Sequence, residues 1–330
     1  MIQKAHVFKK KVQASVAYIL KNIDYLRYPG YYSLAKEAKG LYKIWRHDCP
    51  REQPEFVHSR WSDVQPRCAK IIENGVPYNF LHDLTLSRMF YRIGFKKPQE
   101  YEFDFLLNNV SEKTRSLVKQ YRESPVGKPA IDCPQLGISV NSLGMLYYYA
   151  RITEKLKRWD FNSIVEFGGG YASLCRVFLE LLPKHPTYVI IDLPEILSLQ
   201  HVFLRWSSNE YRVFPHTTQP IEIKKGFVNL VPVHLIEEAP FDGDLFISTF
   251  ALSEAGRAMQ VIITKRCFLN CKATYIVGQN AKEIDLQDGH SWESPEMIHS
   301  EAKRLFDNVQ IEPFHFADAW ELIGWSEEEK

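Results

Sequence analysis

The sequence predicts an α/β protein. We expect a doubly wound, mostly parallel sheet with a terminal antiparallel hairpin over residues 134–330, and an all-helical region over residues 1–133. Three observations predict it. Residues 163–195 follow the order strand, glycine turn, helix, strand. Residues 309–316 and 321–325 have the pattern of two closing strands. Before residue 130 the apolar residues recur at helical spacing, and no convincing strand is present.

In the first region, apolar periodicity predicts helices near residues 12–20, 34–45, 84–93 and 111–123. Residues 125–134 contain three prolines and a glycine, so we expect a linker there. A further helix over 142–156 precedes the first strand and carries three adjacent tyrosines. Because neighbouring residues cannot share one helical face, at least one of these tyrosines should face a cleft or a second layer.

The central motif is a buried strand that stops at a glycine turn. Ile164 and Val165 lead into Glu166 and Phe167, and three glycines follow at 168, 169 and 170. Without Cβ atoms, the backbone of such a turn can approach a ligand closely. A helix begins directly after the turn, so its free N–H groups point at the same place. The next strand, residues 188–191, ends at Asp192, where a carboxylate can accept ribose hydroxyls.

The remaining strands follow in order. Pro194 suits the first turn of a helix. We expect a third strand over 227–235, which Pro232 shortens or moves toward an edge. A fourth strand is predicted over 244–249 and a fifth over 273–277. Residues 278–292 then form a long loop before a helix that begins near Ser294 and Pro295. Long loops at this edge of a sheet commonly serve the substrate.

Two cofactors fit this motif, an adenine dinucleotide and S-adenosyl-L-methionine. The dinucleotide fingerprint requires Gly or Ala where this chain has Ser173. The sequence has instead an acidic residue two positions before the first glycine, and this arrangement resembles motif I of the Rossmann-like class I methyltransferases. Together with the later segments YVIIDLPEILSLQ and DLFISTFALSEAG, it is similar to the family of sugar O-methyltransferases over roughly residues 134–326.

The resemblance implies S-adenosyl-L-methionine as the cofactor and assigns residues to it. The methionyl part would lie near Glu166 and the glycine turn, and Asp192 would bind the ribose. The full set of expected cofactor-binding residues is Glu166, Gly168, Gly169, Gly170, Asp192, Leu193, Ser248 and Thr249. Many class I enzymes carry an acidic residue for adenine after the third strand. This chain has Val233 and His234 there, which leaves the adenine contacts unassigned.

A sugar hydroxyl has a high pKa, so methyl transfer to it calls for a general base within hydrogen-bond reach. The candidates are Glu254, after the fourth strand, and His290, in the loop after the fifth. Tyr171 and Trp292 are candidate flat surfaces for a sugar ring. A divalent cation held by Asp285, Asp288 and His290 is an alternative role for the loop, although no metal is predicted.

Composition excludes several classes of function. Among 330 residues, 41 basic and 40 acidic side chains give a net charge of +1, so we expect no nucleic-acid partner. The six cysteines lack the paired spacing of a zinc site. No apolar run approaches the ~20 residues of a membrane span, and the basic start is not followed by a signal-peptide core. These features predict a soluble cytoplasmic protein.

The first fifty residues are an exception to this balance, with ten Lys or Arg against three Asp or Glu and with interleaved aromatic residues. An amphipathic helical appendage explains the pattern most simply. The functional alternative is peripheral contact with glycolipid or with the inner membrane surface. For the whole helical region, residues 1–133, two roles stay open: a cap over the substrate site, or self-association into a homo-oligomer.

Three functions follow, in order of preference. The first is an S-adenosyl-L-methionine-dependent O-methyltransferase that acts on a sugar hydroxyl of a bacterial surface polysaccharide or a related glycoside. The second is an NAD-dependent sugar oxidoreductase, against which Ser173 and the terminal hairpin argue. The third is a non-catalytic nucleotide-binding protein of the same fold.

Overall fold

The computed structural model describes residues 27–49, 60–90, 96–280, 295–316 and 318–327. Their strands form one eight-stranded sheet in the order β3-β4-β2-β1-β5-β6-β8-β7. The strands are β1 Ser163–Phe167, β2 Thr187–Asp192, β3 Val213–Pro215, β4 Val228–Pro232, β5 Gly243–Thr249, β6 Cys271–Gln279, β7 Asn308–Phe314 and β8 Ala319–Trp325.

The first six strands are parallel, and β8 pairs antiparallel with both β6 and β7. From β1 the chain winds outward through β2, and it later returns to lay β5 on the other side of β1. The strand order therefore reverses at β1, and in such sheets ligands bind beyond the carboxyl ends of the strands at this point. The α/β fold predicted from the sequence, a doubly wound, mostly parallel sheet with a terminal antiparallel hairpin, is confirmed.

In the described ranges, ten helices lie on the two faces of the sheet or before it in the chain, and an eleventh, four-residue segment, Cys267–Asn270, directly precedes β6. The ten are α1 Pro29–Asp48, α2 Arg60–Glu73, α3 Leu84–Phe90, α4 Lys96–Asn108, α5 Glu112–Gln120, α6 Val140–Leu156, α7 Ser173–Leu181, α8 Pro194–Ser207, α9 Arg257–Lys265 and α10 Glu296–Leu305. The described residues before 133 contain no strand, as expected. Short 3-10 turns lie at Phe80–His82 and Val233–Leu235.

The predicted helices near 34–45, 84–93, 111–123 and 142–156 correspond to α1, α3, α5 and α6. The helix expected near 12–20 lies outside the described residues. Helices α2 and α4 were not predicted from the sequence. Pro66 lies inside α2 and argues locally against a helix, so packing outweighs propensity there.

Two strands differ from expectation. The predicted third strand, residues 227–235, is observed as β4, which Pro232 ends as the last paired residue. The three-residue strand β3 was not predicted. It takes the edge position beside β4, so the strand that carries Pro232 lies one position inside the edge. Predicted strands four and five, and the closing hairpin, are found as β5, β6, β7 and β8.

Helix α6 explains the run of three tyrosines, all of which are buried. Tyr147 packs against Phe105 of α4, with ring centroids 5.0 Å apart. Tyr148 faces Tyr275 of β6, and Tyr149 faces Phe178 of α7. Because successive side chains point about 100° apart around a helix, the three adjacent rings contact three different elements, α4, β6 and α7. The expectation of a second layer is confirmed.

The helices before residue 133 share one continuous core with the sheet. In α1, the Nε1 of Trp45 donates a 2.6 Å hydrogen bond to the carbonyl of His216, just after β3. Tyr31, also in α1, meets Trp206 of α8 edge-on, with centroids 5.6 Å apart. Helix α1 is thus part of the folded body. Of the helices in the described part of the chain, none combines the length and apolarity that crossing a bilayer demands.

We predict that Trp45→Ala lowers the free energy of unfolding by about 3–5 kcal/mol, because it empties a buried site and removes the hydrogen bond to His216. The matched control is Ile44→Ala. Ile44 is the preceding residue of the same helix and is 47% exposed, whereas Trp45 is 2% exposed. The control should change stability by no more than about 0.5 kcal/mol. Urea denaturation measures both, and equal effects would mean that α1 does not depend on this contact.

Candidate functional site

The candidate site lies where β1 ends and the chain turns into α7. Gly168 and Gly170 have positive φ values of 76° and 54°, which only glycine adopts without strain. The amide of Gly168 donates a 2.9 Å hydrogen bond to the carbonyl of Ile191, which holds the turn against the end of β2. All three glycines stay half-buried, so part of the turn's backbone is open to solvent.

Two of the glycines are also required by the protein's own packing. A Cβ on Gly168 would lie 2.0 Å from the Cβ of Ala251, and one on Gly169 would lie 2.8 Å from Cγ2 of Ile190. From the sequence, we expect the glycines to let the backbone approach a ligand closely. The structure adds a second reason, since Gly168 lets the turn after β5 pack closely against the turn after β1.

Helix α7 begins at this turn without a side-chain cap. Its N-cap residue, Ala172, has a left-handed backbone with φ 69° and makes no capping hydrogen bond through its side chain. The first N–H groups of a helix have no partner within the helix, and its N-terminus carries partial positive charge. This end of α7 can therefore accept an anionic group such as a carboxylate.

Glu166, the acidic residue before the glycines, lies underneath the turn. Its side chain is 1% exposed, and its Oε2 accepts a 2.9 Å hydrogen bond from the hydroxyl of Tyr188. Burial raises the pKa of Glu166 to about 7, and the tyrosine hydroxyl lowers it in part. In this structure Glu166 supports the turn from below. Its predicted contact with the methionyl part of a cofactor stays a prediction.

Asp192 closes β2 beside the same turn and is 9% exposed. Oδ1 accepts a 2.8 Å hydrogen bond from the amide of Leu193, and Oδ2 accepts one of 2.8 Å from Nε2 of Gln200. Burial raises the pKa of Asp192 to about 8 despite these two donors, which lower it. Because the folded-state pKa lies above the unfolded one, ionising this group costs stability as the pH rises from about 4 toward 8.

Ser248 and Thr249 end β5 on the other side of β1. Ser248 is fully buried, donates to the carbonyl of Phe167 at 3.1 Å and accepts from the amide of Leu252 at 3.0 Å. Its hydroxyl therefore fastens β5 to the glycine turn. Thr249 is half-buried at the mouth. Cofactor contact by either residue is untested and stays a prediction.

Glu254 lies on the turn after β5, and two hydrogen bonds fix this turn to the end of β6. Nε2 of Gln279 donates to Glu254 at 3.1 Å, and the amide of Gln279 donates to Ser253 Oγ, also at 3.1 Å. Glu254 is half-buried, so its carboxylate is held in place near the carboxyl edge of the sheet. Phe250, at the start of the turn, has a positive φ of 70°, a costly conformation for a bulky residue.

Tyr171 lies elsewhere than expected. It is 3% exposed, its ring packs edge-on against Phe80 and Phe203, and its hydroxyl accepts a 2.6 Å hydrogen bond from Asn141. These contacts join the helical region to α6 and α8. A sugar-stacking role for Tyr171 gains no support from this position, and its contacts are those of a core residue.

Several predicted residues lie in the segment 281–294, outside the described residues: Asp285, Asp288, His290 and Trp292. Their predicted roles as base, sugar surface or cation ligands therefore stay predictions. Within the described ranges, no group of three or more His, Cys, Asp or Glu side chains is arranged to hold a metal ion.

The N-terminal helices cover the corner formed by β2 and α8. Arg46 of α1 lies 3.7 Å from the buried carboxylate of Glu195, in the first turn of α8. Gln65 of α2 donates to the same carboxylate at 3.4 Å. Burial raises the pKa of the Cys68 thiol, also in α2, to about 12, and the charges of Glu195 and Asp192 add to that effect. Helix α2 therefore lies close to the candidate site.

Two side chains that donate to the buried carboxylates, Tyr188 and Gln200, were not predicted from the sequence. Tyr188 belongs to a run of apolar strand residues, and nothing in that run distinguishes its hydroxyl. The burial of Gln200 could have been predicted, because it lies four residues after Ile196 and therefore on the apolar, buried face of α8. A buried amide at such a position requires polar partners.

No family model and no curated protein matches the chain. Among solved structures, it is similar to the pyocyanin biosynthetic protein PhzM, with 15% identity, 72% of this chain and 71% of that chain covered, and a TM-score of 0.37. It is also similar to an O-methyltransferase family protein from Burkholderia thailandensis, with 12% identity, 82% and 70% covered, and a TM-score of 0.39.

A third similar structure is the small RNA methyltransferase HEN1, with 13% identity and a TM-score of 0.41. The match covers 55% of this chain and 25% of HEN1, so the chain spans about a quarter of that protein's length. At identities this low, the substrates of these methyltransferases are not assigned to this chain.

We predict that Gly168→Ala lowers the free energy of unfolding by about 2–4 kcal/mol, through left-handed strain and the contact with Ala251. Gly137→Ala is the matched control. Gly137 also has a positive φ, 68°, but a Cβ there would meet nothing within 4 Å. The control should therefore cost only the strain, about 1–2 kcal/mol.

Ala251→Gly should restore part of the stability lost in Gly168→Ala, because it removes the Cβ with which the new side chain collides. Chemical denaturation of the two single variants and the double variant measures this coupling. Additive effects would show that the two turns do not pack as described.

Proposed function

We propose that this chain is an S-adenosyl-L-methionine-dependent O-methyltransferase that methylates a sugar hydroxyl, of a bacterial surface polysaccharide or a related glycoside. The observation that carries the proposal is the position of Asp192 beside the half-open glycine turn and the uncapped start of α7, at the strand reversal of a methyltransferase-like sheet. One corner thus offers a carboxylate, backbone donors and a helix N-terminus.

The parts of S-adenosyl-L-methionine match these groups. Asp192 would accept hydrogen bonds from its ribose hydroxyls, and the start of α7 would receive its methionyl carboxylate. Burial raises the pKa of Asp192 and Glu166, and the sulfonium and ammonium charges of the cofactor would offset the cost of ionising these two carboxylates. The donors and acceptors present therefore fit this cofactor.

When bound, the cofactor supplies an electrophilic methyl group on sulfur. The protein's task is to hold an acceptor oxygen in line with that group and to take the hydroxyl proton as the oxygen–carbon bond forms. Glu254 is the base candidate among the described residues, because Gln279 holds its carboxylate at the carboxyl edge of β5 and β6. His290 is the second candidate.

The sugar acceptor is supported by two half-buried rings near Glu254. Phe250 follows β5 and Phe316 follows β7, and their ring centroids lie 6.2 Å apart at an interplanar angle of 77°. Flat apolar surfaces of this kind suit the C–H face of a sugar ring. Trp292, in the neighbouring loop, would extend that surface.

We further propose that residues 1–133 form a cap over the domain of residues 134–330, since α1 and α2 reach Glu195 beside Asp192. The basic start of the chain suits peripheral contact with the inner membrane face or glycolipid from the cytoplasm, and it also suits self-association into a homo-oligomer. No metal is required by this proposal.

The two alternatives predict different binding. An NAD-dependent sugar oxidoreductase would bind NAD at the same corner, but sheets of that class usually lack the antiparallel pair β7 and β8. A non-catalytic protein of the same fold would bind the nucleoside without transferring a methyl group. Titration with S-adenosylhomocysteine and with NAD, followed by methyl transfer from labelled cofactor to glycan pools, separates all three.

We predict that Asp192→Ala weakens S-adenosylhomocysteine binding about 10- to 100-fold, because charge-assisted hydrogen bonds to the ribose are lost. Asp244→Ala is the matched control. Asp244 is also buried, at the opposite, amino end of β5, where it accepts from the amides of Asn162 and Ser163. Calorimetric titration should show unchanged affinity in the control. An unchanged affinity in Asp192→Ala would mean that the ribose is bound elsewhere.

We predict that one of two variants, Glu254→Gln or His290→Ala, lowers kcat by about 10²–10⁴ and leaves S-adenosylhomocysteine affinity intact, since a base acts on the acceptor. Rates measured against pH identify which one, because the variant without the base loses the ascending limb of the profile. If both variants retain the wild-type kcat, neither residue is the base.

A further inference from the structure

Gln200 joins the two halves of the candidate site. It lies on α8, has no exposed surface, and directs its amide nitrogen toward the glycine turn and the end of β2. Nε2 donates to the carbonyl of Gly170 at 2.8 Å and to Oδ2 of Asp192 at 2.8 Å. One amide group therefore binds the turn after β1 and the carboxylate after β2 at the same time.

The orientation of this amide is determined by chemistry. Both partners are acceptors, so the nitrogen with its two hydrogens must face them. The amide oxygen is buried and receives no hydrogen bond from the described residues. An unpaired buried carbonyl destabilises a fold, and the side chain adopts this arrangement so that both donors are used. Its placement is therefore governed by Gly170 and Asp192 rather than by packing alone.

The contacts of Asp192 show what this arrangement achieves. A carboxylate has about four lone-pair positions. Two of them are directed at the Leu193 amide and at Nε2 of Gln200, which leaves positions for a ligand hydroxyl. The direction of the remaining lone pairs depends on how the carboxylate is rotated, and among the described residues Gln200 is the only side chain that donates to it.

We propose that Gln200 is a positioning residue of the cofactor site, which holds the Asp192 carboxylate at a fixed orientation and distance from the glycine turn so that one ribose hydroxyl can donate to it. This inference rests on the proposed function. Gln200 acts through Asp192 and Gly170 and does not itself contact the reacting atoms.

The proposal has a consequence for pH dependence. The donor from Gln200 lowers the pKa of Asp192, against the larger effect of burial. The other ionisable groups near this carboxylate are Glu166 on β1 and the Cys68 thiol of α2. The charge of Glu166 raises the pKa of Asp192, and the charge of Asp192 in turn raises the pKa of Cys68. Without Gln200 the pKa of Asp192 rises, so the ionised form that binds the ribose is reached only at higher pH.

The test measures S-adenosylhomocysteine affinity between pH 6 and 9.5 by calorimetry, for the wild-type protein and for Gln200→Leu, which has nearly the same volume and no donors. We expect the pH of half-maximal affinity to rise by about one unit and the affinity at pH 7 to fall about 10- to 100-fold. In an Asp192→Asn background, Gln200→Leu should not shift the pH profile further.

Gln260→Leu is the matched control. Gln260 is 1% exposed on α9, its Nε2 donates to the carbonyls of Leu252 and Ala255, and its amide oxygen also lacks a donor among the described residues. The same substitution there should cost comparable stability, as thermal melting will show, and leave the pH profile of binding unchanged.

A folded Gln200→Leu protein with the wild-type pH profile overturns the proposal and leaves the cofactor assignment intact. If Gln200→Leu does not fold, Gln200→Asn replaces it, because this variant keeps a polar amide but is too short to reach both acceptors. The same upward shift is then expected, and its absence overturns the proposal. A wild-type protein that binds no S-adenosylhomocysteine at any pH overturns the cofactor assignment and the proposal together.

Discussion

The site depends on two carboxylates that the fold removes from water at the carboxyl edge of its sheet. Glu166 lies one residue before the end of β1, and Asp192 ends the neighbouring strand β2. Burial raises the pKa of Glu166 to about 7 and that of Asp192 to about 8. Each is held by hydrogen bonds from protein groups, from Tyr188 in one case and from Leu193 and Gln200 in the other. Buried acids with such pKa values at a strand reversal are typical of sites that bind a cationic or hydroxyl-rich ligand.

The surrounding structure keeps that corner rigid. The contact between Gly168 and Ala251 and the hydrogen bonds of Ser248 join the turn after β1 to the turn after β5. Ser253 and Gln279 then fix the latter turn to β6. On the other side, α1 and α2 reach the first turn of α8 through Arg46 and Gln65. The proposed cofactor site at Asp192 and the proposed acceptor site at Glu254 are thus connected through packed and hydrogen-bonded residues.

Local patterns predicted much of this fold. Dense β-branched runs that end in glycines or an acid identified β1 and β2, and the closing hairpin followed from two short strand patterns. The three-residue strand β3 is too short to show an alternating pattern, so it was not predicted. Helix α2 was not predicted because Pro66 lies inside it. Tyr171 was expected at a ligand because it adjoins the glycine turn, but chain adjacency does not reveal which way a ring points, and this ring points into the core.

Side-chain partners far apart in the chain were the hardest to foresee. The hydrogen bond between Tyr188 and Glu166 joins two strands, and the double hydrogen bond of Gln200 depends on how α8 returns over the sheet. A sequence pattern can indicate that a polar group is buried, but only the fold determines which acceptor it meets.

The most direct measurement is the number of protons released when the wild-type protein binds S-adenosylhomocysteine at pH 7, obtained by calorimetry in buffers of different ionisation enthalpy. Because burial raises the pKa of Asp192 to about 8, its side chain is mostly protonated at pH 7 in the free protein, and the proposed ribose contact requires the ionised carboxylate. We predict saturable binding with the release of about one proton. Binding without proton release, or no binding, would contradict the central claim that the buried carboxylate of Asp192 accepts a hydrogen bond from the nucleoside.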